Sequence, residues 1–143
     1  MKIPFLELRP AYLEMKAEID AAIARILDSG WYILGPEVEA FEAEWAAYCG
    51  AEHAVGLANG LDALILALRA LNIGPGDEVI VPSNTYIATW LAISAVGAAP
   101  KPVEPDPMTH NIDPARIEVA ITPATKAILP VHLYGQPVGL EPI

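Results

Sequence analysis

EVIVPSNTYIATWLAISAVGAAPKPV, residues Glu78–Val103, is the stretch that decides the fold. Glu78-Val79-Ile80-Val81 is a short β-branched run closed by Pro82, the pattern of a strand covered on both faces. Thr85 to Val96 is apolar over three turns and reads as a buried helix. Gly97 ends it, and a second strand follows around Pro100–Val103. A strand, a helix and a strand within 26 residues make one crossover unit, which pairs its two strands in parallel.

The rhythm continues in both directions. Upstream, Ala54-Val55-Gly56-Leu57-Ala58 reads as a strand, Asn59-Gly60 as a tight turn, and Leu61–Leu71 as a helix apolar nearly all round and therefore buried. Gly74-Pro75-Gly76-Asp77 is a turn. Downstream, Asn111-Ile112-Asp113-Pro114 looks like an N-cap followed by proline at the first helical position, with a helix to about Ala120. Lys126–Val131 is a further strand. The first 50 residues differ. Ala11–Leu27 places apolar residues at three- and four-residue spacing and reads as one amphipathic helix stopped by Ser29-Gly30. After the aromatic loop Gly30–Gly35, a helix opens at Pro36 with apolar stripe Val38, Phe41, Trp45 and Tyr48, ended by Gly50. The expected organisation is a helical arm with an aromatic loop over residues 1–50 and an α/β domain over 51–143.

Composition narrows the function. The 143 residues hold 8 Lys+Arg and 18 Asp+Glu, a formal charge of −10. The deficit is even: residues 1–50 carry 4 basic and 9 acidic groups, and 51–143 carry the same. No basic cluster exists to release counterions from a phosphate backbone, so nucleic acid is not an expected partner. The apolar fraction is 54% and the mean hydropathy +0.38, yet the most apolar stretch, Trp90–Pro100, is too short to span a bilayer, which takes about 20 residues. The opening MKIPFLELRP has no apolar run after Lys2 and does not read as a signal peptide. A cytoplasmic protein with no membrane partner is expected. The lone Cys49 rules out an internal disulfide and reads as a buried small hydrophobe.

Ligands of open parallel sheets sit beyond the carboxyl ends of the strands. The segments to inspect are therefore Asn59–Asp62, Pro82–Tyr86, Pro105-Asp106 and His132–Gln136. In Asn59-Gly60-Leu61-Asp62, a glycine before a helix start lets a phosphate approach free N–H groups at the positive end of the helix dipole. The alternative is a plain turn with Asp62 as a first-turn acid. Tyr86 offers a face on which a planar ring can stack; the alternative makes Ser83 or Asn84 an N-cap and packs Tyr86 into the core. His53, His110 and His132 are scattered without metal-ligand spacing, so a zinc site is not expected. His132 reads as a satisfied core histidine, with contact to a ligand as the alternative, and Asp106 as a turn acid. Neither GxGxxG nor GxxxxGK[ST] occurs.

Taken in order, PFLELRPAY (Pro4–Tyr12), SGWYILGPEVEAFEAEWAAYCG (Ser29–Gly50), ANGLDALILALRAL (Ala58–Leu71), GPGDEVIVPSNTYIAT (Gly74–Thr89), HNIDP (His110–Pro114) and TKAILPVHLYGQP (Thr125–Pro137) resemble the DegT/DnrJ/StrS family of nucleotide-sugar aminotransferases. The resemblance implies the type I fold of enzymes that use pyridoxal 5′-phosphate (PLP), with a mostly parallel sheet covered by helices on both faces. It implies that Gly60, Leu61 and Asp62 hold the PLP phosphate and that Tyr86 stacks on the pyridine ring. The GWYILG loop and NGLDAL resemble the versions in enzymes acting on dTDP-3-keto-6-deoxyhexoses.

Two family residues have no counterpart here. The Asp of an Asp-Ala-x-Gln segment and the Schiff-base Lys of a Ser-Phe-x-x-x-Lys segment are both absent from residues 1–143; Lys126 matches neither. No catalytic residue is therefore assigned in this chain, which reads as the truncated N-terminal part of such an enzyme and is expected to be inactive by itself. The full-length protein is expected to transfer an amino group, with glutamate as donor, to a nucleotide-linked keto-deoxy sugar. It is expected to act as a homodimer to which residues 1–35 contribute. A sugar dehydratase of the same family and a non-catalytic binding module are the alternatives.

Overall fold

The computed structural model describes residues 4–143; the first three residues of the opening segment, Lys2 included, lie outside them. The chain divides into two compact units, one ending at Gly56 and the other Leu57–Ile143.

The first unit is helical. The helix expected over Ala11–Leu27 is two helices, α1 Arg9–Glu14 and α2 Lys16–Ser29. They meet at Met15, whose amide bonds back to the Tyr12 carbonyl while its own carbonyl accepts from Glu18 and Ile19. Periodicity runs through this break unchanged, so the spacing alone hides it. The Tyr12 hydroxyl donates to Asp20 Oδ1 at 2.8 Å, and Lys16 pairs with the same carboxylate. α3 spans Pro36–Cys49. Gly30 and Gly50 close α2 and α3 with φ of +67°, the left-handed cap that glycine adopts without a Cβ penalty. The covered line of α3 runs through Val38, Glu42 and Ala46, and Glu42 accepts the Gly56 amide. The aromatic stripe turns outward instead: Phe41, Trp45 and Tyr48 are exposed and stack with centroids 5.9 and 5.6 Å apart. Cys49, expected to be buried, is exposed, because it lies off that covered line.

The second unit is a three-stranded parallel sheet in the order β2-β1-β3: β1 Glu78–Pro82, β2 Ala99–Val103 and β3 Thr125–Ile128. Its helices are α4 Gly60–Ala70, α5 Ile87–Ala95 and α6 Pro114–Ala120. β1 is central, and Val79, Ile80 and Val81 have no exposed surface. Their side chains alternate between faces. Val79 and Val81 join the cluster of α4 and α5 (Leu68, Ala92, Ile93), whereas Ile80 joins Val103, Ile112 and Ile117 beside α6. Helices therefore cover both faces, as the type I reading requires.

Three expectations change. Ala54–Ala58 is not a strand: among the described residues it has no strand to pair with, and it runs across the junction between the two units. Strand β3 stops at Ile128 rather than Val131. Leu129 still donates to the Ile80 carbonyl, but Pro130 has no N–H with which to extend the ladder. Neither α4 nor α5 is buried all round: Leu68, Ala92 and Ile93 are covered, whereas Leu66 of α4 and Ile87 and Leu91 of α5 remain about half exposed, and α5 is shorter than the Thr85–Val96 expected.

Candidate functional site

The carboxyl ends of β1, β2 and β3 define one edge of the sheet. α4 ends at Ala70 and returns to the amino end of β1 through Leu71–Asp77, with Ile73 buried and Gly74 and Asp77 bonded to each other. An 11-residue helix and a five-residue strand are both roughly 16 Å long. The start of α4 therefore lies toward the carboxyl edge. Packing agrees. Leu61 shares a cluster with Trp90, whose indole N–H reaches the Pro82 carbonyl at the end of β1, 3.4 Å away.

Asn59 caps α4. Its Oδ1 accepts the Asp62 amide and its Nδ2 donates to Asp62 Oδ2, each at 2.9 Å. The Ala63 amide bonds the Asn59 carbonyl. The two amides between them, Gly60 and Leu61, meet no acceptor among the described residues. Helix starts leave such donors for a ligand or water, and the dipole places partial positive charge there. A Cβ built on Gly60 would meet nothing within 4 Å, so an anion can approach this backbone closely. Two free donors, a positive helix end and open space suit a phosphate. The cap role of Asn59, missed in the sequence, is signalled by its side-chain type and by Asp62 three residues on.

Tyr86 is 78% exposed. It is itself the N-cap residue of α5, with extended backbone and no side-chain cap bond; neither Ser83 nor Asn84 caps the helix, and the ring does not enter the core. Thr85 and Thr89 share a hydroxyl hydrogen bond of 2.8 Å beside it.

The loops after β2 and β3 complete the edge. Asp106 closes a turn, its Oδ1 accepting from Met108 and Thr109, so it is the structural acid that its position suggested. His132 is exposed rather than a core residue, yet it is satisfied: it accepts the Val138 amide at Nδ1, 3.0 Å away. That bond occupies Nδ1 and puts the proton of the neutral ring on Nε2. Asn111, which the sequence reading did not single out by itself, is only 4% exposed. Its Nδ2 donates to the Gln136 carbonyl (3.1 Å) and its Oδ1 accepts the Leu133 amide (3.2 Å). The Asn84 amide donates to the His110 carbonyl at 2.9 Å. Lys126 belongs elsewhere: it falls in the register shift between the Glu78–Thr125 and Val79–Ala127 pairs, at the amino end of β3.

No helix among the described residues is long and apolar enough to cross a membrane. No group of three or more His, Cys, Asp or Glu among them is placed to hold a metal.

Against known proteins, residues 13–143 match the model of the DegT/DnrJ/EryC1/StrS aminotransferase family. The chain is 64% identical over 140 residues to a dTDP-3-amino-3,4,6-trideoxy-alpha-D-glucose transaminase of Streptomyces venezuelae, covering 98% of this chain and 37% of that protein. It is 61% identical over 141 residues to a dTDP-3-amino-3,6-dideoxy-alpha-D-galactopyranose transaminase of Aneurinibacillus thermoaerophilus, covering 99% and 39%. The crystal structure of S. venezuelae DesV in complex with a ketimine intermediate superposes with a TM-score of 0.95 at 64% identity, over 99% of this chain and 38% of that one. NtdA of Bacillus subtilis with bound cofactor PMP gives 0.88 at 41% identity, over 94% and 31%. The chain thus spans less than two-fifths of the length of each.

Proposed function

The chain belongs to the DegT/DnrJ/EryC1/StrS aminotransferase family, and from that premise we propose that the full-length protein is a PLP-dependent sugar aminotransferase. It moves an amino group from glutamate onto the keto carbon of a dTDP-linked 3-keto-6-deoxy sugar. The observation that carries this reading is the pair of acceptor-free amides at Gly60 and Leu61, on the same sheet edge as the exposed ring of Tyr86. The names of the relatives, both dTDP-amino-sugar transaminases, support the substrate class.

PLP, when bound, supplies an electron sink for charge that develops beside the transferred nitrogen. The residues of this chain hold and orient it. The Gly60 and Leu61 amides bind the phosphate, helped by the α4 dipole. Asp62, which the resemblance sets on the phosphate with them, has its amide and one carboxylate oxygen engaged by Asn59; its role is to keep the two free amides aimed outward. Tyr86 would stack on one face of the pyridine ring and exclude water from that face. In this proposal the pyridinium-pairing Asp and the Schiff-base Lys come from sequence other than residues 1–143. The protein works as a homodimer in the cytoplasm, and Trp31 and Tyr32, both exposed, belong to the subunit contact.

The test uses the full-length protein. PLP titration gives a visible absorption band, and the PMP-loaded protein returns to the PLP spectrum when a dTDP-3-keto-6-deoxy sugar is added. Failure to bind PLP would sink the aminotransferase reading. A bound cofactor whose spectrum the keto sugar leaves unchanged would sink the substrate class alone.

A further inference from the structure

Residues 110 and 111 join three loops that the chain makes separately. The His110 carbonyl receives the Asn84 amide from the loop after β1. The buried Asn111 side chain holds Leu133 and Gln136 of the loop after β3. Both residues belong to the segment after β2. His110 takes φ of +60°, a conformation that costs a non-glycine residue about 1 kcal/mol or more and persists only where its surroundings hold it. On the far side, Tyr134 also has positive φ, +57°, and its ring meets the His110 ring edge-on at 6.2 Å. Two strained residues in contact, His110 bonded by the Asn84 carboxamide and Tyr134 set in a turn whose flanking Leu133 and Gln136 the Asn111 carboxamide holds, make a built feature at the sheet edge where ligands bind.

We propose that Asn84 and Asn111 are positioning residues: their carboxamides lock the three strand-end loops into one rim and so fix the Tyr86 ring against the pyridine face of the cofactor. Asn84 stands two residues before Tyr86, in a loop with no side-chain cap on α5, so its bond to His110 sets the path of the chain into that ring. Asn111 acts one step further out. It anchors the Leu133–Gln136 turn against which the His110 segment rests. The inference rests on the PLP reading above, because it concerns how that ring is held.

The experiment compares wild-type full-length protein with Asn84→Asp, Asn84→Gln and Asn111→Asp. Asn84→Asp is isosteric but turns the donor into an acceptor facing the His110 carbonyl. It weakens PLP binding about tenfold, the worth of one well-made hydrogen bond, and reduces the visible circular dichroism per bound cofactor. Asn84 is exposed, so the extra methylene of Asn84→Gln has room; the donor is kept and most of the affinity returns. Asn111→Asp keeps the acceptor for Leu133, loses the donor to Gln136, and changes the dichroism in the same direction. A role confined to stability lowers the melting temperature and leaves affinity and dichroism per cofactor unchanged, which overturns the proposal. Asn84→Gln behaving like Asn84→Asp also overturns it, since the amide donor is then not the operative group. The two Asn84 variants decide the matter whether or not Asn111→Asp folds. Wild-type protein that binds no PLP removes the functional reading itself, an outcome distinct from variants that bind like the wild type.

Discussion

Gly60→Ala separates the two things a glycine at a helix start can do. Gly60 begins α4 with negative φ and has nothing within 4 Å of the position a Cβ would take. Alanine fits that backbone and removes freedom from the unfolded chain, so the apoprotein gains about 0.5–1 kcal/mol, a rise of about 1–3 °C in melting temperature. PLP sees the opposite. In the proposed site its phosphate would meet a methyl group on the way to the Gly60 and Leu61 amides. A charge-assisted hydrogen bond contributes about 1.5–3 kcal/mol; weakening one of the two costs about 10- to 100-fold in affinity. Apoprotein of both forms is titrated with PLP and, as a control, with pyridoxal, which lacks the phosphate. Stability should rise, PLP affinity should fall, and pyridoxal binding should be alike in both. A variant that binds PLP as the wild type does would refute the close-approach argument and leave Asn59-Gly60 a plain turn. A fall in apoprotein stability would refute the reading of its backbone.

Other outcomes follow from the same geometry. Ile80→Ala empties a fully covered site between α6 and the sheet and should cost about 2–5 kcal/mol in urea unfolding; a loss under 1 kcal/mol would mean that the site collapses or is less well packed. Residues 1–143 expressed alone should associate and show no aminotransferase activity, because large apolar groups such as Phe41, Leu66 and Val119 lie on the surface; a monodisperse, cooperatively melting product would contradict this. The Arg25–Glu37 pair (Nε to Oε1 2.9 Å) holds the Glu37 carboxyl below its usual range through the guanidinium hydrogen bond. A depressed carboxylate contributes stability above its unfolded pKa and loses it as pH falls through the folded one. Arg25→Gln should therefore lessen the stability lost on acidification, less so in high salt because both groups are exposed, and identical acid profiles at low salt would show the pair to be inert.

Much of this was legible because burial on both faces leaves a plain mark. Glu78–Val81 is β-branched and continuous, so the central strand and its flanking helices could be read directly. Ala54–Ala58 has a similar apolar run, but a strand exists only with a partner, and pairing is not written in the segment itself. The break at Met15 is silent because the apolar spacing is the same on both sides. At the site, Gly60 and Tyr86 were visible as residue types that suit a phosphate and a ring. Asn111 was not. Its partners lie 22 and 25 residues away, and only the folded sheet edge turns a polar residue in a loop into a buried staple. By its residues alone the segment favours Tyr86 as a core residue, and its exposure is visible only in the fold.

In the proposed site the start of α4 holds a phosphate while Tyr86 covers the ring attached to it. The most direct measurement is a crystal structure of the full-length protein with PLP. Phosphate oxygens should lie within hydrogen-bonding distance of the Gly60 and Leu61 amides, with the pyridine ring stacked on Tyr86. A phosphate bound away from these amides, or a ring out of contact with Tyr86, would contradict it.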